Sequence, residues 1–162
     1  MHIRAAHPTE DASAIWAILE PIFRAGETYT VPRDLTRETA LTYWFAPAHE
    51  VFVADEGGAV GGTYFLQPNQ QGGGAHVANC GYATAPWATG RGVARAMCAH
   101  SLEQARARGY RAMQFNFVVS TNTRAIAIWE SFNFTIVGRL PNAFRHPTVG
   151  FVDALVMYRS LD

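Results

Sequence analysis

The chain reads as a single α/β domain, residues 1–162, with a mixed central sheet of about seven strands and helices on both faces. Three observations lead there. Strand-like and helix-like segments follow one another in the order β-α-α-β-β-β-α-β-α-β-β. Hydrophobic residues make up 49% and charged residues 16% of the 162, a balance that suits one sizeable globular core. A glycine-rich turn, Thr89 to Arg95, joins a strand-like run to a long helical pattern.

Residues 2 to 6 read as the first strand. His7-Pro8-Thr9-Glu10-Asp11 reads as a helix start, with Thr9 as cap and acids in the first turn. Ile15, Ile18, Leu19, Ile22 and Phe23 then recur on one helical face. Ala25 to Pro32 is a loop, and a second short helix covers roughly residues 35 to 45, with Leu41, Trp44 and Phe45 inward. Val51 to Ala54 is a strand, Glu56-Gly57-Gly58 a turn, and Ala59 to Gln67 the hairpin partner. A Gly/Gln/Asn connection, Pro68 to Gly74, leads to the fourth strand, His76 to Ala83. The third helix runs from about residue 91 to 108 and the fifth strand from Ala112 to Val119. Thr121 or Asn122 caps a fourth helix ending near Phe132. Thr135 to Leu140 and Phe151 to Arg159 are the last strands, with a surface loop over Pro141 to Pro147 between them.

Composition excludes several classes of function. Formal net charge is zero, so no global field argues for nucleic acid or an anionic membrane. No apolar run is long enough to span a bilayer. All 13 basic residues are arginine, which rules out Schiff-base chemistry. Cys80 and Cys98 read as buried thiols of a reducing compartment, and the first residues lack a signal-peptide core; both point to the cytoplasm. His2, His7, His49 and His100 have no ligand spacing, so no metal is expected.

The turn carries the chemistry. Gly90, Gly92 and Ala94 let a backbone lie close to a ligand. The helix opening at Arg91-Gly92-Val93-Ala94-Arg95 leaves N–H groups unpaired at a positive dipole end. Together they make a pyrophosphate cradle.

The element order and this turn resemble the GNAT acetyltransferases over nearly the whole chain. Asn122-Thr123-Arg124-Ala125-Ile126-Ala127-Ile128-Trp129-Glu130-Ser131-Phe132-Asn133-Phe134 is similar to that family's late "N-x-x-A-x-x-x-Y-E-x-x-G-F" segment, and the strand ending at Tyr158 also fits. The resemblance implies acetyl-CoA in a V-shaped cleft where strands four and five splay apart. The strand-four edge at Tyr82, Ala83 and Thr84 would pair with the pantetheine arm. The N–H groups from Arg91 to Arg95 would hold the pyrophosphate, with the Arg91 and Arg95 side chains as further phosphate partners, and Asn122 would bond a pantetheine amide or help align the thioester. Many family members dimerise, though no seam is legible here.

Three positions depart from the family pattern. Thr89 stands where Gln or Arg is usual. Asn133 replaces a glycine at a left-handed turn that asparagine tolerates. Trp129 occupies the position of the tyrosine acid; an indole N–H donates a hydrogen bond but is no usable acid. The Tyr82 hydroxyl or a water would then protonate the leaving thiolate.

Asn79 and Asn116 are polar residues in apolar strands. With Asn122 they show spacings of 37 and six residues, and Ile128-Trp129-Glu130 follows. This pattern resembles the azetidine-2-carboxylate acetyltransferases of fungi, which acetylate cyclic amino acids related to proline. There the first two asparagines are implied to bind the substrate carboxylate. The other reading is a pair of amides bridging splayed strands. Glu27 and Tyr29 form one expected acceptor wall, and Asn142, Phe144, Arg145 and His146 the other. The partner is a small-molecule amine. Other acceptors in view are a phosphinothricin-like amino acid, an aminoglycoside or a protein N-terminus, and a non-catalytic acetyl-CoA sensor is the reading from another class.

Overall fold

The computed structural model describes all 162 residues. Its elements are β1 (His2–Ala5), α1 (Ala12–Ala25), α2 (Arg37–Trp44), β2 (Glu50–Glu56), β3 (Ala59–Pro68), β4 (Val77–Thr84), α3 (Val93–Ala107), β5 (Ala112–Val119), α4 (Thr123–Ser131), β6 (Thr135–His146) and β7 (Gly150–Ser160). The seven strands form one sheet in the order β1-β2-β3-β4-β5-β7-β6. Every neighbouring pair is antiparallel except β4–β5.

Strand alternation assigns the helices to opposite faces. On β3, Thr63 and Phe65 turn one way: the Trp44 indole N–H donates to the Thr63 hydroxyl at 3.0 Å, and the Trp44 and Phe65 rings pack at 5.0 Å. Thr63 passes the bond on to the Phe52 carbonyl at 2.8 Å, so this buried polar chain is fully satisfied. Gly62 and Tyr64 turn the other way. The Tyr64 hydroxyl meets His100 of α3 at 2.7 Å, and a side chain on Gly62 would strike Val93 and Met97. α1 and α2 therefore cover one face and α3 the other, as the sequence pattern predicts.

Two local expectations need correction. α1 starts at Ala12, not after Thr9. Asp11 occupies the cap position, but its carboxylate turns back: it accepts from Arg4 at 2.8 and 2.9 Å and from the His7 N–H at 2.7 Å. That charged pair on β1 outcompetes the local cap. The second correction is the stretch from Pro141 to Pro147, expected as a loop. β6 runs on to His146, with a bulge between Leu140 and Phe144. β6 is an edge strand, and Pro141 falls in this bulge with no partner on β7, so its missing N–H costs no ladder bond. Asn142 takes a left-handed φ of 51°, and its N–H donates to Asp153 at 2.9 Å.

Candidate active site

The site begins with the failure of one strand pair. β4 and β5 pair only at Val77–Ala112 and Ala78–Met113, and then diverge. The β3–β4 register, running unbroken from Gly62–Thr84 to Pro68–Ala78, decides what the gap exposes. Asn69 donates to the Val77 carbonyl and Ala85 to the Gly61 carbonyl. Alternate residues of an antiparallel pair bond outward, so Asn79, Gly81 and Ala83 bond β3, while Cys80, Tyr82 and Thr84 turn their N–H and C=O groups to the gap. The gap is a cleft of about 680 Å³.

Within this cleft the chain brings together Glu27, Tyr29, Asn79, Tyr82, Ala83, Thr84, Ala94, Asn116, Asn122 and Trp129, all expected from sequence. Of the three strand-four residues, Tyr82 and Thr84 offer open backbone groups; the backbone of Ala83 is spent on β3. The Tyr29 hydroxyl donates to the Tyr82 carbonyl at 2.6 Å. One acceptor of the open edge is thus already taken, which tilts the edge toward donation.

At the cleft's other end, Gly90 and Gly92 both adopt a φ of 82°, which favours glycine. Gly92 caps α3 without a side chain. The N–H groups of Gly92, Val93, Ala94 and Arg95 donate to no protein acceptor. Four unpaired donors at a helix N-terminus fit a phosphate. The Val93 side chain is buried in the core, so its share in the turn is its backbone.

The arginine side chains depart from expectation. Arg91 pairs with Glu56 at 3.3 Å and lies over the Trp87 ring at 5.7 Å. Arg95 donates to the Ser131 hydroxyl at 3.0 Å and lies over Phe132 at 5.4 Å. Neither guanidinium lines the cleft. Arg124, which sequence reasoning passed over, does line it and has no hydrogen-bond or ion-pair partner.

Asn79 and Asn116 are both at the cleft and both bridge. The Asn79 side-chain NH₂ donates to the Gln114 carbonyl on β5 at 3.0 Å, and its carbonyl oxygen accepts from Gln67 at 3.2 Å. The Asn116 NH₂ donates to Asn69 at 2.6 Å, and its oxygen accepts from Gln114 at 2.9 Å. Each NH₂ has two protons, so each keeps one N–H free. Asn122 caps α4 through its oxygen, accepting from the Ala125 N–H at 3.4 Å, and its NH₂ has no partner.

Two expected roles change. The Tyr82 hydroxyl points under α3, meeting Ser101 at 2.7 Å and Met113 at 3.8 Å, and burial raises its pKa well above the usual range. It cannot reach a leaving thiolate. Arg145 lies over Phe151 at 5.9 Å on the β6–β7 hairpin, and none of Asn142, Phe144, Arg145 and His146 lines the cleft. The cleft is lined by aromatic residues instead: Tyr43 and Phe65, which cluster with Tyr29 around Trp44 on the α1–α2 face, and Phe117 from β5. Trp129 packs against Tyr82 at 4.8 Å and Phe115 at 5.0 Å. Trp129 lines the cleft, and its N–H has no acceptor within the protein and is not fully buried.

Cys80 is buried, and burial pushes its thiol up to about 12, which leaves no thiolate for nucleophilic chemistry. Glu27 is the sole carboxylate lining the cleft. Asn133 has the left-handed φ, 63°, expected where the family pattern has glycine.

Comparison with known proteins agrees with this geometry. The model of the acetyltransferase (GNAT) family matches residues 13–134. A GCN5-related N-acetyltransferase from Kribbella flavida is 41% identical, with a TM-score of 0.93, covering 98% of this chain and 96% of that one. The N-acetyltransferase aca1 of Schizosaccharomyces pombe is 28% identical, in a match that covers 81% of this chain and 71% of its own length. A phosphinothricin acetyltransferase from Sinorhizobium meliloti, solved with acetyl-CoA, shares the fold at 20% identity, with a TM-score of 0.84 over 98% of this chain and 87% of that one. A cleft opened by diverging strands, with a free helix N-terminus at one end and a family match across most of the sequence, means that this chain belongs to the GNAT acetyltransferase family and is an acyltransferase.

Proposed function

We propose that the protein N-acetylates a small amino acid of the proline-analogue type, with acetyl-CoA as donor, by direct attack in a ternary complex. The observation that carries this reading is the pair of spare amide N–H groups on Asn79 and Asn116 beside one cleft. Two donors at the meeting of β4 and β5 suit a carboxylate, which accepts at both oxygens. The aromatic lining of Tyr43, Phe65 and Phe117 suits the carbons of a compact ring.

Acetyl-CoA fits the other end. The unpaired N–H groups from Gly92 to Arg95 suit the pyrophosphate, and the open β4 edge suits the amides of the pantetheine arm. The free NH₂ of Asn122 and the N–H groups of Cys80, Tyr82 and Thr84 are the donors available to the thioester carbonyl as charge builds on it.

In the reaction the acceptor nitrogen forms the new C–N bond, the C–S bond breaks, and the sulfur leaves with the electron pair. The amine proton is the demanding one: at pH 7, neutralising an amine of pKa near 10 costs about 4 kcal/mol. Glu27, through water, is the one carboxylate positioned to take it. The leaving thiolate needs less help, because a thiol near 8.5 leaves unprotonated at a cost of about 2 kcal/mol. The Trp129 N–H would give that sulfur a hydrogen bond in place of an acid's proton.

The test is release of free CoA from acetyl-CoA with L-azetidine-2-carboxylate, a primary amino acid, phosphinothricin or an aminoglycoside, and with no acceptor. Turnover confined to the cyclic acceptor, and lost in Asn116→Ala with acetyl-CoA binding intact, is the expected result. Turnover only with another acceptor discards the substrate class. Binding of acetyl-CoA without release across the panel favours the sensor.

A further inference from the structure

We infer that Arg124 is the side chain that grips the pyrophosphate of the acetyl donor, in place of Arg91 and Arg95; this rests on the acetyl-CoA reading above. Three arginines stand near the glycine-rich turn, and their partners separate them. Arg91 is held by Glu56 and Trp87, and Arg95 by Ser131 and Phe132. Arg124 has no acceptor at all and is the one arginine lining the cleft.

Its position is specific. Arg124 sits in the first turn of α4, across the opening from α3. Its Nη2 lies 3.5 Å from where a Cβ on Gly90 would stand. The phosphate turn therefore has unpaired backbone donors on one side, from Gly92 to Arg95, and an unpaired guanidinium on the other. Backbone N–H groups at a helix end supply partial charge and direction, but no full positive charge. A guanidinium supplies both the charge and a fork that matches two phosphate oxygens. Because α3 follows β4 and α4 follows β5, this grip also ties together the two strands that diverge. Donor binding would then close the cleft from both sides.

The experiment compares the wild type with Arg124→Gln, Arg124→Lys, Arg91→Gln and Arg95→Gln. Arg124 is exposed, and thermal melts establish that each variant folds. Affinities are measured by calorimetry at low and high salt for acetyl-CoA, for its 3′-dephospho form, and for S-acetylpantetheine, which lacks the pyrophosphate. Arg124→Gln should weaken both pyrophosphate-bearing donors alike, by about tenfold or more, and flatten their salt dependence. It should leave S-acetylpantetheine unchanged. Arg124→Lys should recover part of the loss, while Arg91→Gln and Arg95→Gln should change affinity less than about threefold. Equal weakening of S-acetylpantetheine would make the role structural and overturn the assignment. So would a loss confined to the donor with the 3′-phosphate, or no loss at all. A wild type that binds none of the three donors sinks the acetyl-CoA reading itself, whereas a wild type that binds them and an Arg124→Gln that binds equally well sinks only this inference.

Discussion

Gly62→Ala is a sharp test of how the sheet positions the phosphate turn. An ideal Cβ at Gly62 would stand 2.7 Å from Cγ1 of Val93, and 2.8 and 2.9 Å from Cε and Sδ of Met97. Both neighbours are buried. The Met97 thioether can rotate away, but Val93 is stiff at χ1 and is the first residue of α3, next to Gly92. Relief must therefore come from moving the start of the helix. Overpacking of this kind costs about 1–3 kcal/mol, offset by about 0.4–1 kcal/mol because alanine restricts the unfolded chain. A net loss of about 1–2 kcal/mol lowers Tm by roughly 2–8 °C in a chain of this size. The same shift moves the N–H groups of Val93 and Ala94, so acetyl-CoA affinity should fall with stability. Thermal melts and calorimetry read the two effects, with Gly73→Ala as control, since a Cβ there meets nothing within 4 Å. An unchanged Tm and affinity in Gly62→Ala would refute the claim that β3 packing places the phosphate turn.

Two further outcomes follow from charge and burial. The Arg4 guanidinium, donating to both carboxylate oxygens, holds the Asp11 carboxyl below its ordinary range. Such a group stabilises the fold above its unfolded pKa of about 4, and the contribution is lost as pH falls through the lower folded value. Asp11→Asn should therefore cost about 1–3 kcal/mol at pH 7 in urea titrations, with the gap to wild type narrowing below about pH 4; a gap constant from pH 7 to pH 2 contradicts this. Burial pushes the thiols of Cys80 and Cys98 up to about 12 each. Iodoacetamide at pH 8 should alkylate the folded protein roughly a thousandfold more slowly than a free thiol, and Cys80→Ala should keep its turnover. Rapid alkylation with loss of turnover would place Cys80 in the chemistry.

Features that act within a few residues were legible in the chain. The α1 stripe of Ile15, Ile18, Leu19 and Phe23 is buried as its spacing requires, and β5 spans Ala112 to Val119 as read. The positive φ at Gly90, Gly92 and Asn133 also follows from local residue chemistry. Misreadings arose where a partner distant in sequence prevailed. Thr9 lost the helix start because Arg4 draws the Asp11 carboxylate away. Pro141 looked like a loop residue because nothing local reveals that β6 is an edge strand.

At the site, the residue types were readable and their directions were not. Arg91, Arg95 and Arg124 are equivalent as letters. Glu56 and Ser131, from β3's hairpin partner and from α4, occupy the first two and leave the third free. Tyr82 was readable as a strand-four residue, but the β3–β4 register sends its hydroxyl under α3 and its backbone to the cleft. By itself the sequence determined the order of elements, the glycine-rich helix start and the asparagines of the cleft. Only the tertiary structure decided which side chains remain unpaired, because each donor is taken by the nearest acceptor in space, and those acceptors arrive from other elements of the fold.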